Sequence, residues 1–97
     1  MKRSKFQMVR DILKETRTPI CGTRLIHKVY MSYAQYQTYR KELLERGFIE
    51  KNGNTRPLFV ITPKGKILLA DLDKIFSFSY ESSFIPVNHI YAAEFSL

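Results

Sequence analysis

One stretch of the sequence, residues 31–49, carries neutral hydrogen-bonding side chains and a cation at the spacing of one helix face. No carboxylate falls on this face, whose members are Tyr33, Ala34, Gln37, Thr38 and Lys41. The DNA major groove presents hydrogen-bond donors and acceptors on base edges between two rows of phosphate, so it would match such a face. The next acids follow it, at Glu42, Glu45 and Glu50. The pattern therefore predicts a surface that reads duplex DNA, which we call the reading face.

The residues around the reading face predict the helix that must position it. Ser32, followed three residues later by Gln35, is typical of a capping box, in which the hydroxyl accepts a hydrogen bond from a free amide at the helix start. Gly47 predicts a left-handed end to the helix. The apolar residues between them recur at helical spacing, with the stem of Arg40 at the edge of their face. They are Tyr36, Tyr39, Leu43 and Leu44.

Two further helices are predicted before this one. Residues 4–16 form the first, with Ser4 as its cap and one apolar stripe made of Phe6, Val9, Ile12 and Leu13. After a connector that contains Pro19, and in which Ile20-Cys21 can form a very short strand, Thr23 is predicted to cap the second helix, TRLIHKVYM. Two or three residues then lead to Ser32. Helices joined so tightly cross steeply, as in a helix-turn-helix.

A β-hairpin and a fourth helix are predicted next. Residues 48–51 alternate as a strand, Asn52-Gly53-Asn54 is a strong turn signal, and residues 58–61 return as the second strand. The polar residues at the hairpin tip are Lys51, Asn52, Asn54 and Arg56. Thr62-Pro63 predicts a cap and first turn for the fourth helix. Its apolar side is predicted to contain Ile67, Leu68, Leu72 and Ile75.

The charge of the chain is unevenly distributed. The formal net charge of the 97 residues is +7. Residues 1–41 hold ten Lys and Arg against two acids, a net +8, whereas residues 42–97 hold six against seven, a net −1. A positive field concentrated around the reading face favours a polyanionic partner, although a basic surface can also serve solubility alone.

Several classes of protein are disfavoured by the composition. A single cysteine, Cys21, excludes an intramolecular disulfide scaffold but leaves an intermolecular bridge open. Two distant histidines, His27 and His89, do not make a zinc pattern with it, so we expect no metal and no cofactor. Because no catalytic constellation or phosphate-binding glycine loop is present, we expect no enzyme. With neither a membrane-length apolar run nor a signal core, we expect a cytoplasmic protein.

The last residues differ from the rest of the chain. Residues 77–97 contain no Lys or Arg and are rich in aromatic and aliphatic side chains. An apolar segment of this kind needs cover, either from its own domain or from a partner. We therefore predict two regions: a domain at residues 1–76 and a C-terminal tail at residues 77–97 that takes part in dimerisation.

Three groups of residues carry a resemblance to a known family. They are Thr23-Arg24, then Ser32-Tyr33-Ala34 with Tyr39 and Leu43, then Gly47-Phe48-Ile49 with Thr62-Pro63-Lys64-Gly65. In this order and spacing, over about residues 4–76, the chain resembles the small archaeal winged helix-turn-helix DNA-binding proteins. That family includes dimers with a C-terminal antiparallel coiled coil. The present sequence departs from it, because the heptad of Leu68, Leu72 and Ile75 continues with Ser79.

The resemblance implies an α+β, mainly α fold: a winged helix-turn-helix built of helix, helix, helix, β-hairpin wing and helix, followed by the apolar tail. It also implies a homodimer that binds double-stranded DNA. The residues predicted to contact DNA are Thr23, Arg24, Ser32, Tyr33, Gln35, Gln37, Thr38, Lys41, Lys51, Asn54 and Arg56. Of these, the resemblance itself implies Ser32, Tyr33, Gln35, Gln37, Thr38 and Lys41 in or beside the groove and Arg56 in the wing. The residues predicted for dimerisation are Leu68, Leu72, Ile75, Phe76, Phe78 and Phe84.

The function predicted from the sequence is sequence-specific binding of duplex DNA by a transcriptional regulator, with the third helix in the major groove. Two alternatives stay open. Winged helices also act as protein-interaction modules. The acid-free reading face and the net charge of +8 on residues 1–41 argue against this alternative. Coating of DNA without regard to sequence would use the same residues, and the sequence does not separate it from specific regulation.

Overall fold

The computed structural model describes the backbone of residues 3–82 and the side chains of residues 3–77. It contains four helices and three short strands in the predicted order. Their bounds are α1 Lys5–Glu15, β1 Ile20–Cys21, α2 Gly22–Val29, α3 Tyr33–Glu45, β2 Ile49–Asn52, β3 Leu58–Ile61 and α4 Pro63–Ser82. The strands form one antiparallel sheet in the order β1-β3-β2, with Ile20 opposite Phe59 and Ile49 opposite Ile61. The predicted α+β, mainly α fold is confirmed.

Helix α1 begins with a complete capping box. The Ser4 hydroxyl accepts from the Gln7 amide at 3.2 Å, and the Gln7 side chain accepts from the Ser4 amide at 2.9 Å. The predicted apolar stripe of α1 is buried, and its members are Phe6, Val9, Ile12 and Leu13. Thr16, buried at the end of the helix, donates its hydroxyl to the carbonyls of the preceding turn.

The start of α2 differs from the prediction. Thr23 was predicted to cap this helix, but the helix already begins at Gly22, with Cys21 in the extended conformation at its N-cap. The physical reason is the pairing of β1 with β3, which holds Cys21 extended opposite Leu58, so that the helix starts at the following residue. Thr23 therefore lies within the first turn.

The end of α2 also comes earlier than predicted. The helix stops at Val29, and Tyr30 adopts a left-handed conformation with φ of 53°. Arg3 satisfies this end, because its guanidinium donates to the Val29 carbonyl at 2.7 Å and to the Tyr30 carbonyl at 2.6 Å. Asp11 of α1 pairs with the same guanidinium at 2.7 Å. The turn between α2 and α3 is thus tied to α1 by Arg3.

Helix α4 begins as predicted, and its first turn is packed against the end of α3. The Thr62 hydroxyl accepts from the Gly65 amide at 3.0 Å and donates to the Gly47 carbonyl at 2.6 Å. A Cβ at Gly65 would lie 2.0 Å from the Phe48 carbonyl oxygen, so only glycine fits there. Asp73 accepts from Arg10 of α1 at 2.5 Å, which fixes the middle of the helix.

The buried side of α4 was predicted only in part. Leu68 and Leu72 are buried as predicted, but Ile67 is 66% exposed and Leu69, which was not predicted, is buried instead. The close contact at Gly65 turns the stripe that passes through positions 65, 69 and 72 toward the core. Position 67 then lies on the outer side of the helix, since each residue advances the helix by about 100°.

Helix α4 continues past the boundary predicted at residue 76 and is described as far as Ser82. The first six residues of the predicted tail are therefore helical. Phe84 and the rest of the tail lie outside the described residues. Among the described helices, none combines the length and the apolar character needed to cross a membrane.

Candidate nucleic-acid interface

The reading face is exposed on α3, and the opposite face of the helix is in the core. Tyr36, Tyr39 and Leu43 are buried, with exposed fractions of 2%, 8% and 0%. The exposed residues of α3 are Tyr33, Ala34, Gln35, Gln37, Thr38, Lys41 and, at its C-terminal end, Glu45. Burial raises the pKa of Tyr39, so its phenol stays neutral and packs as a core residue. The division of α3 into two faces was predicted correctly from the spacing.

Ser32 performs the capping role predicted for it. Its side chain accepts from the Gln35 amide at 3.2 Å. The side chain of Gln35 accepts from the Ser32 hydroxyl at 3.4 Å, in place of the reciprocal bond of a full capping box. Ser32 and Gln35 are thus joined at the N-terminal end of the reading face.

Two polar residues of the reading face already hold one hydrogen bond each. Gln37 donates one N–H from Nε2 to the Tyr33 hydroxyl at 2.6 Å, one helical turn away. An amide side chain has two N–H donors and a carbonyl acceptor, so one N–H and the oxygen of Gln37 remain for a ligand. Thr38 donates its hydroxyl to the Ala34 carbonyl at 3.0 Å, which leaves its oxygen as an acceptor. The Tyr33–Gln37 bond fixes which way the Gln37 amide points.

The wing is the hairpin of β2 and β3. Gly53, at its tip, has φ of +93° and supports the tight turn. The predicted contact residues Lys51, Asn54 and Arg56 are all exposed there. Lys51 and Arg56 line the same cleft as Thr23 and Arg24 at the start of α2. The structure thus brings together two groups of predicted residues that are about thirty positions apart in the sequence.

Arg40 is a residue of this region whose place the sequence indicated only in part. Its stem was predicted at the edge of the α3 apolar face. In the structure its guanidinium lies 5.2 Å from the centroid of the Tyr36 ring and 5.5 Å from that of Phe59. Arg40 also lines the cleft that contains Arg24 and Arg56. The contact with β3 depends on how α3 packs on the sheet, so the spacing within α3 carries no signal for it.

The residues predicted for dimerisation lie in different environments. Leu68 and Leu72 are 6% and 0% exposed within the chain itself, so they offer little surface to a second subunit. Ile75 and Phe76 are partly exposed. Phe78 lies within α4, but its side chain is outside the described part, as is all of Phe84.

The described residues contain no group of His, Cys, Asp and Glu side chains that could hold a metal ion. His27 is exposed on α2, and Cys21 is a partly buried free thiol. The reactive residue types in this part of the chain are therefore dispersed.

Comparison with known proteins agrees with this architecture. Residues 2–79 match the family model described as winged helix-turn-helix. An uncharacterized protein of Methanocaldococcus jannaschii is 27% identical over 81 residues, which is 82% of this chain. The chain spans 37% of the length of that relative.

Solved structures with the same fold include three archaeal-type proteins. Sso10a-2, a DNA-binding protein from Sulfolobus solfataricus, has a TM-score of 0.73 at 22% identity, covering 95% of this chain and 90% of its own. The transcriptional regulator BldR from the same organism has a TM-score of 0.69 at 17% identity, and the match covers 90% of this chain and 68% of BldR. SSV1 F-93 has a TM-score of 0.64 at 19% identity, and the match covers 84% of this chain and 96% of F-93.

At these identities the structural matches show the fold, and the family model, which covers most of the chain, shows the family. The resemblance to small archaeal winged helix-turn-helix proteins is confirmed. This chain belongs to the winged helix-turn-helix family.

Proposed function

We propose that this protein binds double-stranded DNA and acts as a homodimeric transcriptional regulator, with α3 in the major groove. The observation that carries the proposal is the reading face: an exposed helix surface of hydrogen-bonding groups and a lysine, without an acid. Similar folds support it, since by their names Sso10a-2 is a DNA-binding protein and BldR a transcriptional regulator.

The Tyr33–Gln37 bond supports a specific form of base reading. Gln37 keeps one N–H and its carbonyl oxygen free after donating to Tyr33. Adenine offers one acceptor, N7, and one donor, the N6 amino group, in the major groove, whereas guanine offers two acceptors. Gln37 held in this way can make two hydrogen bonds to adenine but only one to guanine. We therefore propose that Gln37 selects adenine, worth about 1–3 kcal/mol for a bidentate contact.

The cations near the reading face have a separate role in the proposal. Lys41, Arg24 and Arg56 are all exposed: Lys41 belongs to the reading face on α3, and Arg24 on α2 and Arg56 on the wing line the neighbouring cleft. Lysines and arginines that contact phosphates set the register of the protein on the duplex and supply most of the salt-dependent affinity. We therefore expect these cations to contact phosphates, and the base contacts to come from Gln37, Thr38 and Gln35.

The dimer is proposed to form through the exposed side of α4 together with residues 77–97. Ile67 is 66% exposed on this side, where it can contact a second subunit together with the apolar residues of the tail. Two subunits related by a twofold axis would each read one half-site, so the target is expected to be roughly palindromic.

Selection of bound sequences from random duplexes, followed by titration of the preferred duplex and a scrambled one, tests the proposal. We expect an enriched, palindromic sequence that contains adenine in each half-site. Equal affinity for every duplex would contradict sequence-specific regulation and favour coating of DNA without regard to sequence. No binding to random duplex or heparin at low salt would contradict the proposal and favour a protein-interaction module.

A further inference from the structure

A cleft of about 1040 Å³ lies between the start of α2, the α1–β1 connection and the wing. Five cations line it: Arg24, Lys28, Arg40, Lys51 and Arg56. Among the described residues, Glu15 is the one acid in its lining. A concave surface with an excess of one charge focuses the electrostatic potential and attracts ions of the opposite sign. The cleft therefore favours an anion.

The cations of the cleft differ from those elsewhere in the described chain. Three arginines form ion pairs with a carboxylate: Arg3 with Asp11, Arg10 with Asp73, and Arg46 with Glu42. None of these six residues lines the cleft. Within the described part of the chain, the five cleft cations form no ion pair, so their charge is available to an anion from outside.

Two buried polar atoms on α3 also lack a partner beside the cleft. They are Arg40 Nε and the Tyr36 hydroxyl, which make no hydrogen bond to any described residue. The Tyr36 hydroxyl ends next to Gly22, 3.1 Å from where a Cβ would stand, and Gly22 lines the cleft. The rings of Tyr36 and Phe59 orient the Arg40 guanidinium but provide no acceptor for it. Both atoms are closed off from solvent, so an anion in the cleft would meet the terminal nitrogens of the Arg40 guanidinium, which carry the remaining donors.

The start of α2 adds donors to the same cleft. Side chains cap the other three helices, namely Ser4 for α1, Ser32 for α3 and Thr62 for α4. At α2 the N-cap is Cys21, and no described side chain makes a capping hydrogen bond. Gly22, Thr23 and Arg24 line the cleft, so the start of this helix forms part of its wall. The first amides of a helix have no hydrogen-bond partner within the helix and can bind an anion.

We propose that this cleft is a phosphate-binding site, in which Arg40 and the first amides of α2 hold phosphate oxygens. Helix amides and arginine forks together match the oxygens of a phosphate group. The volume exceeds one phosphate and is that of a site for a nucleotide-sized molecule or a short segment of a nucleic-acid backbone. The ligand is thus a phosphodiester of DNA or a free polyphosphate. The inference rests on the proposed function only for the first of these sources.

The site adjoins the reading face along α3. Arg40 follows Gln37 by three residues, which is the next turn of the same side of the helix. A free polyphosphate in the cleft would therefore compete with DNA for the same cations. A backbone phosphate in the cleft would instead fix the register in which Gln37 meets its base.

Titration of the full chain with pyrophosphate, without DNA, tests the site directly. We expect saturable shifts of the Gly22, Thr23 and Arg24 amides and of the Arg40 Nε–H signal in ¹H–¹⁵N spectra. Arg40→Gln should weaken pyrophosphate at least fivefold. Arg46→Gln is the matched control, because it removes the same charge at the C-cap of α3, outside the cleft, and it should change the affinity for pyrophosphate less than twofold. An equal loss of pyrophosphate affinity in both variants would show that only the net charge of the protein matters, and it would overturn the proposal.

Two measurements keep this test independent of damage to the fold and of the proposed function. Arg40→Lys keeps the charge but not the fork, so it should also weaken pyrophosphate at least threefold, and the urea midpoint of each variant reports its folding. Duplexes with single methylphosphonates identify the source. If one neutral phosphate weakens DNA binding by the native protein but not by Arg40→Gln, a DNA phosphate occupies the cleft. If no neutral phosphate has this effect while pyrophosphate displaces DNA, the ligand is free polyphosphate.

The two possible failures are distinguishable. Saturable, Arg40-dependent pyrophosphate binding without any DNA binding would retain the phosphate site and reject the proposed function. DNA binding that is insensitive to Arg40→Gln, with no localised pyrophosphate shifts, would reject the site and retain the function.

Discussion

Gly65 at the start of α4 lies against the carbonyl of Phe48, so closely that a Cβ would stand 2.0 Å from the carbonyl oxygen. The same Cβ would lie 2.7 Å from Ile61 Cγ1. This contact joins the end of α3, the sheet and α4 at one point. Because backbone atoms form it, the contact cannot be relieved by rotation of a side chain.

Replacing this glycine is expected to destabilise the fold. Gly65→Ala must displace α4 from the Phe48 carbonyl, at a cost of about 1–3 kcal/mol for overpacking, measured by urea denaturation. Gly22→Ala, also in the first turn of a helix, is the control, since its Cβ would meet the end of the Tyr36 side chain at 3.1 Å. Gly22→Ala should cost clearly less. A Gly65→Ala protein as stable as the native one would disprove the contact.

The contact at Gly65 also explains which features of α4 the sequence could not predict. Ile67, Leu68 and Leu69 are three consecutive apolar residues, so periodicity allows several buried stripes. The approach of Gly65 to Phe48 selects the one that contains Leu69 and leaves Ile67 exposed. A glycine in the sequence signals a helix boundary but not the backbone it will touch.

Local signals in the sequence were sufficient elsewhere. Ser4, Ser32 and Thr62 were each predicted to cap a helix, and each does so through a hydrogen bond within three residues. The prediction that Thr23 caps α2 was wrong because the long-range pairing of β1 with β3 decides where α2 begins. The cleft around Arg40 was not predicted for the same reason: it is formed by segments distant in the chain.

Tyr30 offers a second test of stability. It is 86% exposed and has φ of 53°, a conformation that costs a residue with a side chain about 1–2 kcal/mol relative to glycine. Tyr30→Gly should therefore raise the free energy of unfolding by about 0.5–1 kcal/mol after the entropy of glycine is subtracted. Lys41→Gly, at an exposed position inside α3, should instead destabilise by about 0.5–1 kcal/mol. A destabilised Tyr30→Gly protein would show that the exposed ring contributes to the fold.

The reading face predicts a loss of specificity without a loss of general affinity. Gln37→Ala combined with Thr38→Ala should weaken the preferred duplex by about 1–3 kcal/mol and leave a scrambled duplex nearly unchanged. Tyr33→Phe removes the acceptor of the Gln37 bond, so we expect weaker discrimination between adenine and guanine at the Gln37 position. Titration of both duplexes by fluorescence anisotropy measures these effects. If the two duplexes lose affinity equally, Gln37 and Thr38 do not read bases.

The wing predicts the opposite behaviour. Arg56→Ala should reduce the affinity for all duplexes alike and lower the slope of log affinity against log salt by about one, as expected for one lost phosphate contact. Lys66→Ala, an exposed cation on α4, removes the same charge and should leave the slope nearly unchanged. An unaltered slope in Arg56→Ala would remove this residue from the interface.

The dimer prediction concerns the exposed side of α4 and the tail. Residues 77–97 contain no Lys or Arg, and full burial of one Phe or Ile contributes about 1.5–3 kcal/mol. Ordering each residue costs about 1–2 kcal/mol, so the segment gains stability only if most of its apolar side chains are covered. Because Leu68 and Leu72 are already buried within the chain, that cover must come from other surface, such as that around Ile67 in a second subunit.

Two variants separate the contributions of the helix and the tail. Truncation after Ser82 keeps all of α4 that the structure describes. We expect it to dissociate the dimer at micromolar concentration in sedimentation and to weaken binding to a duplex with two half-sites while sparing binding to one half-site. Ile67→Glu should dissociate the full chain as well, since it places a charge in the proposed interface. Lys66→Glu tests the effect of added negative charge alone, because this exposed residue of the same helix lies about 100° around it from Ile67. A truncated protein that stays dimeric would assign the interface to α4. A dimeric Ile67→Glu protein would assign it to the tail, because a buried, unpaired carboxylate is too costly to keep at the centre of an interface.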